Sequence, residues 1–235
     1  MTKYLTARIL ILSALFSMAG AYPGPTPPFS PGVPEEWVTT LLKVPGVSAE
    51  IGLPSAGQSA AANLVSKVGG IDSAILFATL FPSQEKDVAP QGKVALSSDR
   101  SRLIREFMSG LTQDQQRRLS ELYLQKAGSK ALLYSGLQAS LILTAVQAAQ
   151  ISALTQQADK NDRDYSSVLT TTLVDVATGK ISQAQAQDRD DTAKARNSQQ
   201  KAACDRALMA VLTPAQRSWL EILKGTPFPF PPDKS

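Results

Sequence analysis

Apolar residues along this chain recur mostly at helical spacing, and strand-like alternation is scarce. The pattern predicts short helices over residues 34–43, 57–68, 72–80 and 98–109, with Gly69-Gly70 a simple break between the second and third. Gly110 is expected to end the fourth in the left-handed region favoured just past a helix, with Leu111 making the accompanying apolar contact and Thr112 starting the next helix. From residue 129 to about 159 the chain reads as one long helix, packing through the stripe Leu133, Leu137, Leu141, Ala145 and Ala148. The segment DKNDRD, residues 159–164, reads as an acidic turn that breaks the pattern. A helix to about Ala177 follows, Gly179 ends it, and 181–211 is a final long helix. Between 187 and 201 the only apolar residues are Ala193 and Ala195, two apart and so not stacked, which predicts an exposed arm solvated nearly all round.

Residues 131–157 carry no charge, which raises the question of a membrane span. Gln138, Gln147, Gln150 and Gln156 spread amides over several faces, each costly in lipid, so a helix buried against protein or facing a dimer partner is expected instead. The segments YPGPTPPFSPGVPEE and GTPFPFPPDKS place proline every two or three residues, removing the donors that a helix or sheet ladder needs. Both are expected to be extended, mobile ends.

One pattern is written twice. LTQDQQRRLSEL begins at Leu111 and LTPAQRSWLEIL at Leu212, with Leu111/Leu212, Thr112/Thr213, Gln115/Gln216, Leu119/Leu220 and Leu122/Leu223 in matched places. A threonine N-cap accepts from the backbone N–H three residues on, and glutamine there reaches back to the cap's own N–H, a capping box. Pro214 at the first helical position strengthens the second assignment. The leucines three apart form one face, expected to pack against the long helices. Gln116 and Arg217 stand where a hydrophobic staple would be apolar, so each leading leucine must pack elsewhere.

Over roughly residues 98–225 this arrangement resembles the LTxxQ family of periplasmic proteins, the Spy and CpxP type. The resemblance implies an all-α fold of long antiparallel helices with shorter capped helices, assembled as a cradle-shaped homodimer. It also implies an ATP-independent chaperone that holds unfolded or partly folded proteins, with envelope-stress-responsive relatives. Leu111, Thr112, Gln115, Leu212, Thr213 and Gln216 would be its motif residues, capping helices rather than catalysing.

Composition changes this picture in three ways. Lys3 and Arg8, the apolar run 9–16 and the small residues 17–21 fit a signal peptide cleaved near Ala21, giving a periplasmic or secreted protein without stable membrane insertion. Without residues 1–21 the charge falls from 24 Lys+Arg against 20 Asp+Glu to 22 against 20, or +2, so nucleic acid is not indicated. The expected organisation is signal peptide 1–21, proline-rich linker 22–36, short-helix segment 37–97, helical domain 98–225 and proline-rich tail 226–235. Residues 99–130 carry seven bases against four acids, and Arg100, Arg102, Arg105, Arg117 and Arg118 are the candidate client-binding residues.

The absence of histidine removes Ser-His and Cys-His catalysis and any imidazole metal site. Cys204, the single cysteine, reads as a small buried apolar residue or as half of an intermolecular disulfide. Asp159, Asn161 and Arg163 begin like a calcium loop, but Arg163, Asp164 and Thr170 occupy positions that need an oxygen ligand, a glycine and a glutamate. Asp188, Asp190 and Asp191 read as a solvated face. The S-x-x-K at 83–86 lacks its companion motifs, and no phosphate-cradling glycine loop occurs. No catalytic residue, metal or cofactor is therefore expected. The leading expectation is the exported chaperone-like binder. The alternative is a structural or stress-sensing adaptor with one folded envelope partner.

Overall fold

A computed structural model describes residues 32–80 and 90–232, apart from the side chains of 77–80 and 90–93. The expected signal peptide, the linker up to residue 31 and the S-x-x-K at 83–86 lie outside the described residues. In chain order the helices are α1 (Glu35–Leu42), α2 (Val47–Glu50), α3 (Ser55–Leu80), α4 (Pro90–Ser109) and α5 (Gln113–Ala127). A 3-10 segment (Gly128–Leu133) follows, then α6 (Ser135–Ser140), α7 (Ala145–Ala177), α8 (Gln183–Val211) and α9 (Pro214–Lys224). The all-α expectation holds: helix takes up 82% of the described residues and none is in a strand, so every buried side chain is placed by helix packing.

The core gathers around α5. Leu119, Leu122 and Leu124 are fully buried with Val38 and Leu41 of α1, Leu132 of the 3-10 segment and Leu220 of α9. Trp37, Tyr123 and Tyr134 extend this core as an edge-on chain, with ring centroids 5.3 and 6.0 Å apart. Burial, reinforced by the Glu36 carboxylate, pushes the Tyr123 hydroxyl up to about 12. α3 and α4 pack as a pair, and α1 joins them to α5. The leucine faces of the two repeated motifs meet each other, because α5 packs on α9; the expectation that they pack against the long helices is corrected.

Several expected boundaries move for local reasons. α3 runs through Gly69-Gly70, so the expected break is absent. Two glycines cost about 1 kcal/mol each in a helix, which propagation along a 26-residue helix absorbs. The fourth helix begins at Pro90 rather than residue 98. Gly110 is not left-handed; α4 ends through tight turns from Gly110 N–H to the Phe107 carbonyl and from Leu111 N–H to that of Met108. The expected helix 129–159 is instead the 3-10 segment, α6, a turn and the start of α7. Burial accounts for only part of its lack of charge: Ala131, Leu132, Leu137, Leu141 and Ile151 are core, whereas Leu133, Ile142 and Val146 are exposed. DKNDRD does not break the chain, because α7 carries it inside one continuous helix. There Gln157 Nε2 donates to Asn161 Oδ1 at 3.0 Å and Lys201 pairs with Asp162 at 3.0 Å. Gly179 does end α7, at φ +69°.

The proline-rich tail is docked rather than mobile as far as residue 232. Gln125 Nε2 donates to the Lys224 and Thr226 carbonyls at 2.6 and 2.8 Å, and its Oε1 accepts the Phe228 N–H at 2.9 Å. Phe228 and Phe230 pack edge-on at 4.9 Å, and the Lys126 ammonium lies 5.6 Å from the centre of the Phe230 ring. The chain leaves α9 through Gly225 at φ +62°, where an added Cβ would collide with the Glu121 carboxylate. Gly225→Ala is therefore expected to destabilise the protein by about 1–3 kcal/mol, read as a lower midpoint in urea unfolding. An unchanged midpoint would show that the tail adjusts freely.

Candidate functional site

The structure builds the repeated motif as expected and shows that it occurs more often than twice. Thr112 Oγ1 accepts the Gln115 N–H while Gln115 Oε1 accepts the Thr112 N–H, and Thr213 with Gln216 does the same. A third box, Thr144 with Gln147, starts α7, and a fourth, Ser182 with Gln185, starts α8. The third copy reads LTAVQAAQISAL from Leu143, with Ile151 and Leu154 at the positions of Leu119 and Leu122. The fourth keeps only Ile181, Ser182 and Gln185 of the pattern.

In three boxes the glutamine performs a second task with its Nε2. Gln115 donates to the Gly52 carbonyl at 3.0 Å, tying α5 to the end of α2. Gln147 donates to the Val211 carbonyl at 2.9 Å and to Gln216 Oε1 at 2.8 Å. Gln216 answers with bonds to the Leu141 and Ile142 carbonyls at 3.2 and 3.5 Å and to Gln147 Oε1 at 3.3 Å. Each amide thus reaches the carbonyl two residues before the other's cap, an approximate twofold joint. Only this amide orientation places N–H groups on the carbonyls and oxygens on the cap N–H groups.

Gln116 and Arg217, one residue further on, use matching offsets. Gln116 Nε2 reaches the Met108 and Leu111 carbonyls, and Arg217 Nη1 those of Met209 and Leu212. The position where a staple would be apolar is instead a polar clasp on the last carbonyls of the preceding helix. Leu111 and Leu212 are both buried beneath it. At Leu141-Ile142-Leu143 the joint leaves a conformational outlier: Ile142 adopts φ +51° and is 83% exposed. A β-branched residue in that region is strained.

The five candidate arginines do not form one open patch. Arg118 is a structural hub, donating through Nε to Glu50 at 2.9 Å, through Nη1 to Glu121 at 2.7 Å and to the Thr226 carbonyl at 2.8 Å. Arg100 turns inward to Asp72 at 3.1 Å. Arg102, Arg105 and Arg117 are more exposed, with Asp99 and Glu106, Glu35, and Asp114 as their respective partners. Their surface pairs are each worth about 0–1 kcal/mol, so they exchange readily for a ligand's carboxylates.

The largest feature is the antiparallel pair α7 and α8, 33 and 29 residues, or about 50 and 44 Å long. Its base is apolar, with Ile151 and Leu208 buried, and Cys204, half-buried there, donates weakly to the Leu154 carbonyl at 3.5 Å. Its outer half is polar: Lys201 pairs with Asp162, and Asp175 with Arg189 and Lys180. Burial works against the Asp162 carboxylate, but Lys201 and the Asn197 amide outweigh it and hold the carboxyl below its ordinary range. That clasp is present at neutral pH and fades as pH falls through the lowered value. The arm expected at 187–201 is solvated on its outer faces, yet α7 covers one side, where Asn197 is only 7% exposed. Thr172 Oγ1, Asp190 Oδ1 and Asn197 Oδ1 are buried there without a hydrogen-bond partner. An open groove of about 780 Å³ runs along this half, floored by Tyr165, Val168, Ile181 and Ala193.

Among the described residues no group of His, Cys, Asp and Glu is arranged to hold a metal, and no helix is long and apolar enough to cross a membrane. Compared with protein-family models, curated proteins and solved structures, the chain matches none.

Glutamate satisfies a capping box as well as glutamine does, but it cannot donate to a carbonyl. Gln216→Glu is therefore expected to cost about 1–3 kcal/mol, close to Gln216→Ala, in chemical denaturation. Wild-type stability in Gln216→Glu would mean that the cap alone matters.

Proposed function

We propose that this chain is an exported, ATP-independent, chaperone-like protein that holds non-native proteins on exposed apolar side chains. The observation that carries the reading is Ile142, a β-branched residue displayed to solvent in a strained conformation, with Val146 exposed one turn on. Strain of about 1–3 kcal/mol retained in a surface residue is a feature of binding sites more than of inert loops. Leu173, Val174 and Ile222 are further exposed apolar residues, scattered rather than joined, as weak multivalent contact requires. Arg102, Arg105 and Arg117 supply the longer-range attraction. The leader-like first 21 residues and the absence of histidine agree with an exported binder that performs no imidazole chemistry.

A second reading, an adaptor for one folded partner, draws on the groove between α7 and α8, whose polar walls suit a defined surface better than varied clients.

The purified chain is expected to suppress aggregation of a chemically denatured model protein without ATP, less effectively as salt rises and screens the arginines. Absence of suppression at stoichiometric excess, at low and high salt alike, would transfer the proposal to the adaptor. Ile142→Asn separates binding from folding, because asparagine tolerates the left-handed region. Its midpoint is expected to rise by the equivalent of about 1 kcal/mol while suppression weakens. Unweakened suppression would remove Ile142 from the client surface.

A further inference from the structure

The docked tail is held as a bound peptide would be. Among the described residues its hydrogen bonds to α5 all engage main-chain atoms. Gln125 Nε2 donates to the Lys224 and Thr226 carbonyls, Gln125 Oε1 accepts the Phe228 N–H, and Arg118 Nη1 donates to the Thr226 carbonyl. A primary amide that gives N–H groups to two carbonyls and takes one N–H reads an extended backbone whatever its sequence. Side chains matter at alternate positions only: Phe228 and Phe230 are half-buried, whereas Thr226, Pro227 and Pro229 are exposed.

The two ring positions have a chemistry of their own. Phe228 lies over Gly46, 3.5 Å from where a Cβ would stand, and both rings pack against the core. The Lys126 ammonium near the Phe230 ring favours an aromatic side chain over an aliphatic one. Main-chain hydrogen bonds that give affinity, with contacts to alternate side chains that give selection, are the pattern by which folded surfaces take extended peptides.

The tail is also lightly held. Over residues 229–232 the one main-chain hydrogen bond, from Phe230 N–H to the Phe228 carbonyl, lies within the tail itself. A segment attached through one turn and held by an amide, a guanidinium and two half-buried rings behaves as an intramolecular ligand. Its occupancy is set by its effective concentration, about millimolar for a short tether, relative to the dissociation constant of the same segment when free.

We propose that the face of α5 formed by Arg118, Gln125 and Lys126 is a docking surface for extended polypeptide segments that carry two aromatic residues two positions apart, and that the tail occupies it as a tethered competitor. When the tail lifts, a segment of that pattern from another polypeptide takes its place. Aromatic side chains are mostly covered in folded proteins and uncovered in non-native ones, which makes a non-native polypeptide the partner. That identification of the partner rests on the client-holding reading, whereas the docking itself does not.

Fluorescence anisotropy of a labelled peptide of residues 225–235, acetylated so that a carbonyl stands where that of Lys224 does, tests this on the purified full chain. Phe228→Ser with Phe230→Ser releases the chain's own tail. This double variant is expected to bind the peptide about tenfold more tightly than wild type, the ratio for a segment of about 0.1 mM affinity facing an effective concentration of about 1 mM. Gly225→Ala keeps both rings but strains the exit from α9, and is expected to shift affinity in the same direction, so the result does not hang on one variant's folding. Adding Gln125→Ala to the double variant is expected to abolish the gain, and a peptide with serine at both ring positions to bind none of these proteins. Equal affinity for wild type and both released variants, no binding to the released variants up to millimolar peptide, or equal binding of the serine peptide overturns the proposal. No aggregating client enters this measurement, so its failure leaves the reading at Ile142 standing, and absence of aggregation suppression leaves the docking surface standing.

Discussion

The amide pair between Gln147 and Gln216 is the joint on which the rest of the architecture turns. It brings together the start of α7, the end of α8 and the start of α9, since Gln147 also holds the Val211 carbonyl and Gln216 those of Leu141 and Ile142. Helix starts leave unpaired N–H groups and helix ends leave unpaired carbonyls; a glutamine placed between them satisfies one of each. Both roots of a hairpin about 50 Å long are thereby fixed at one point of the core. Pairing these groups matters more than their number suggests, because a partly buried amide left unpaired costs about 1–3 kcal/mol.

From that root outward the hairpin changes character. Ile151 and Leu208 continue the core into its base, whereas Thr172, Asp190 and Asn197 bury polar atoms without partners further out. Exposed ion pairs such as Lys201 with Asp162 add about 1 kcal/mol at most and cannot replace an apolar seam. Local opening therefore costs less toward the tip than toward the root. An element firmly rooted and loosely zipped is suited to meeting other molecules along its outer length, whichever partner it takes.

The all-helical class, the helix starts at Thr112 and Thr213 and the end at Gly179 were legible because each rests on contacts within a few residues. The third box was equally legible as LTAVQAAQISAL, but the uncharged run 131–157 invites reading as one continuous helix, which places Thr144 and Gln147 in its interior. Lack of charge marks neither burial nor continuity: Ile142 and Val146 within this run are exposed. DKNDRD failed in the opposite direction: residues of low helix propensity stay helical where a neighbouring helix supplies Lys201 to Asp162. The docking of the tail had one local sign, the alternation of Phe228 and Phe230 between prolines, which sets both rings toward one side of an extended chain. What they meet depends on residues distant in sequence, as do the Asp72 and Glu35 partners of Arg100 and Arg105, whereas Arg102 and Arg117 pair with carboxylates three or four residues away at helical spacing. Arg118 joins Glu121, three residues on, to Glu50 and the Thr226 carbonyl, and no spacing within residues 99–130 encodes the last two.

The boxes are one device used in different settings, and the residue after each glutamine separates them. Gln116 and Arg217 have side chains long enough to reach carbonyls eight and five residues back, so the helices before α5 and α9 are clasped where they end. Ala148 and Ala186 occupy that position in the boxes of α7 and α8 and can make no such clasp. Without it, the turn before α7 relies on Gln216 from outside, and the strained carbonyl of Ile142 is one of the groups Gln216 holds. The turn before α8 has no such outside support among the described residues. Both boxes lack the clasp, and of the two only that of α7 meets another box among the described residues.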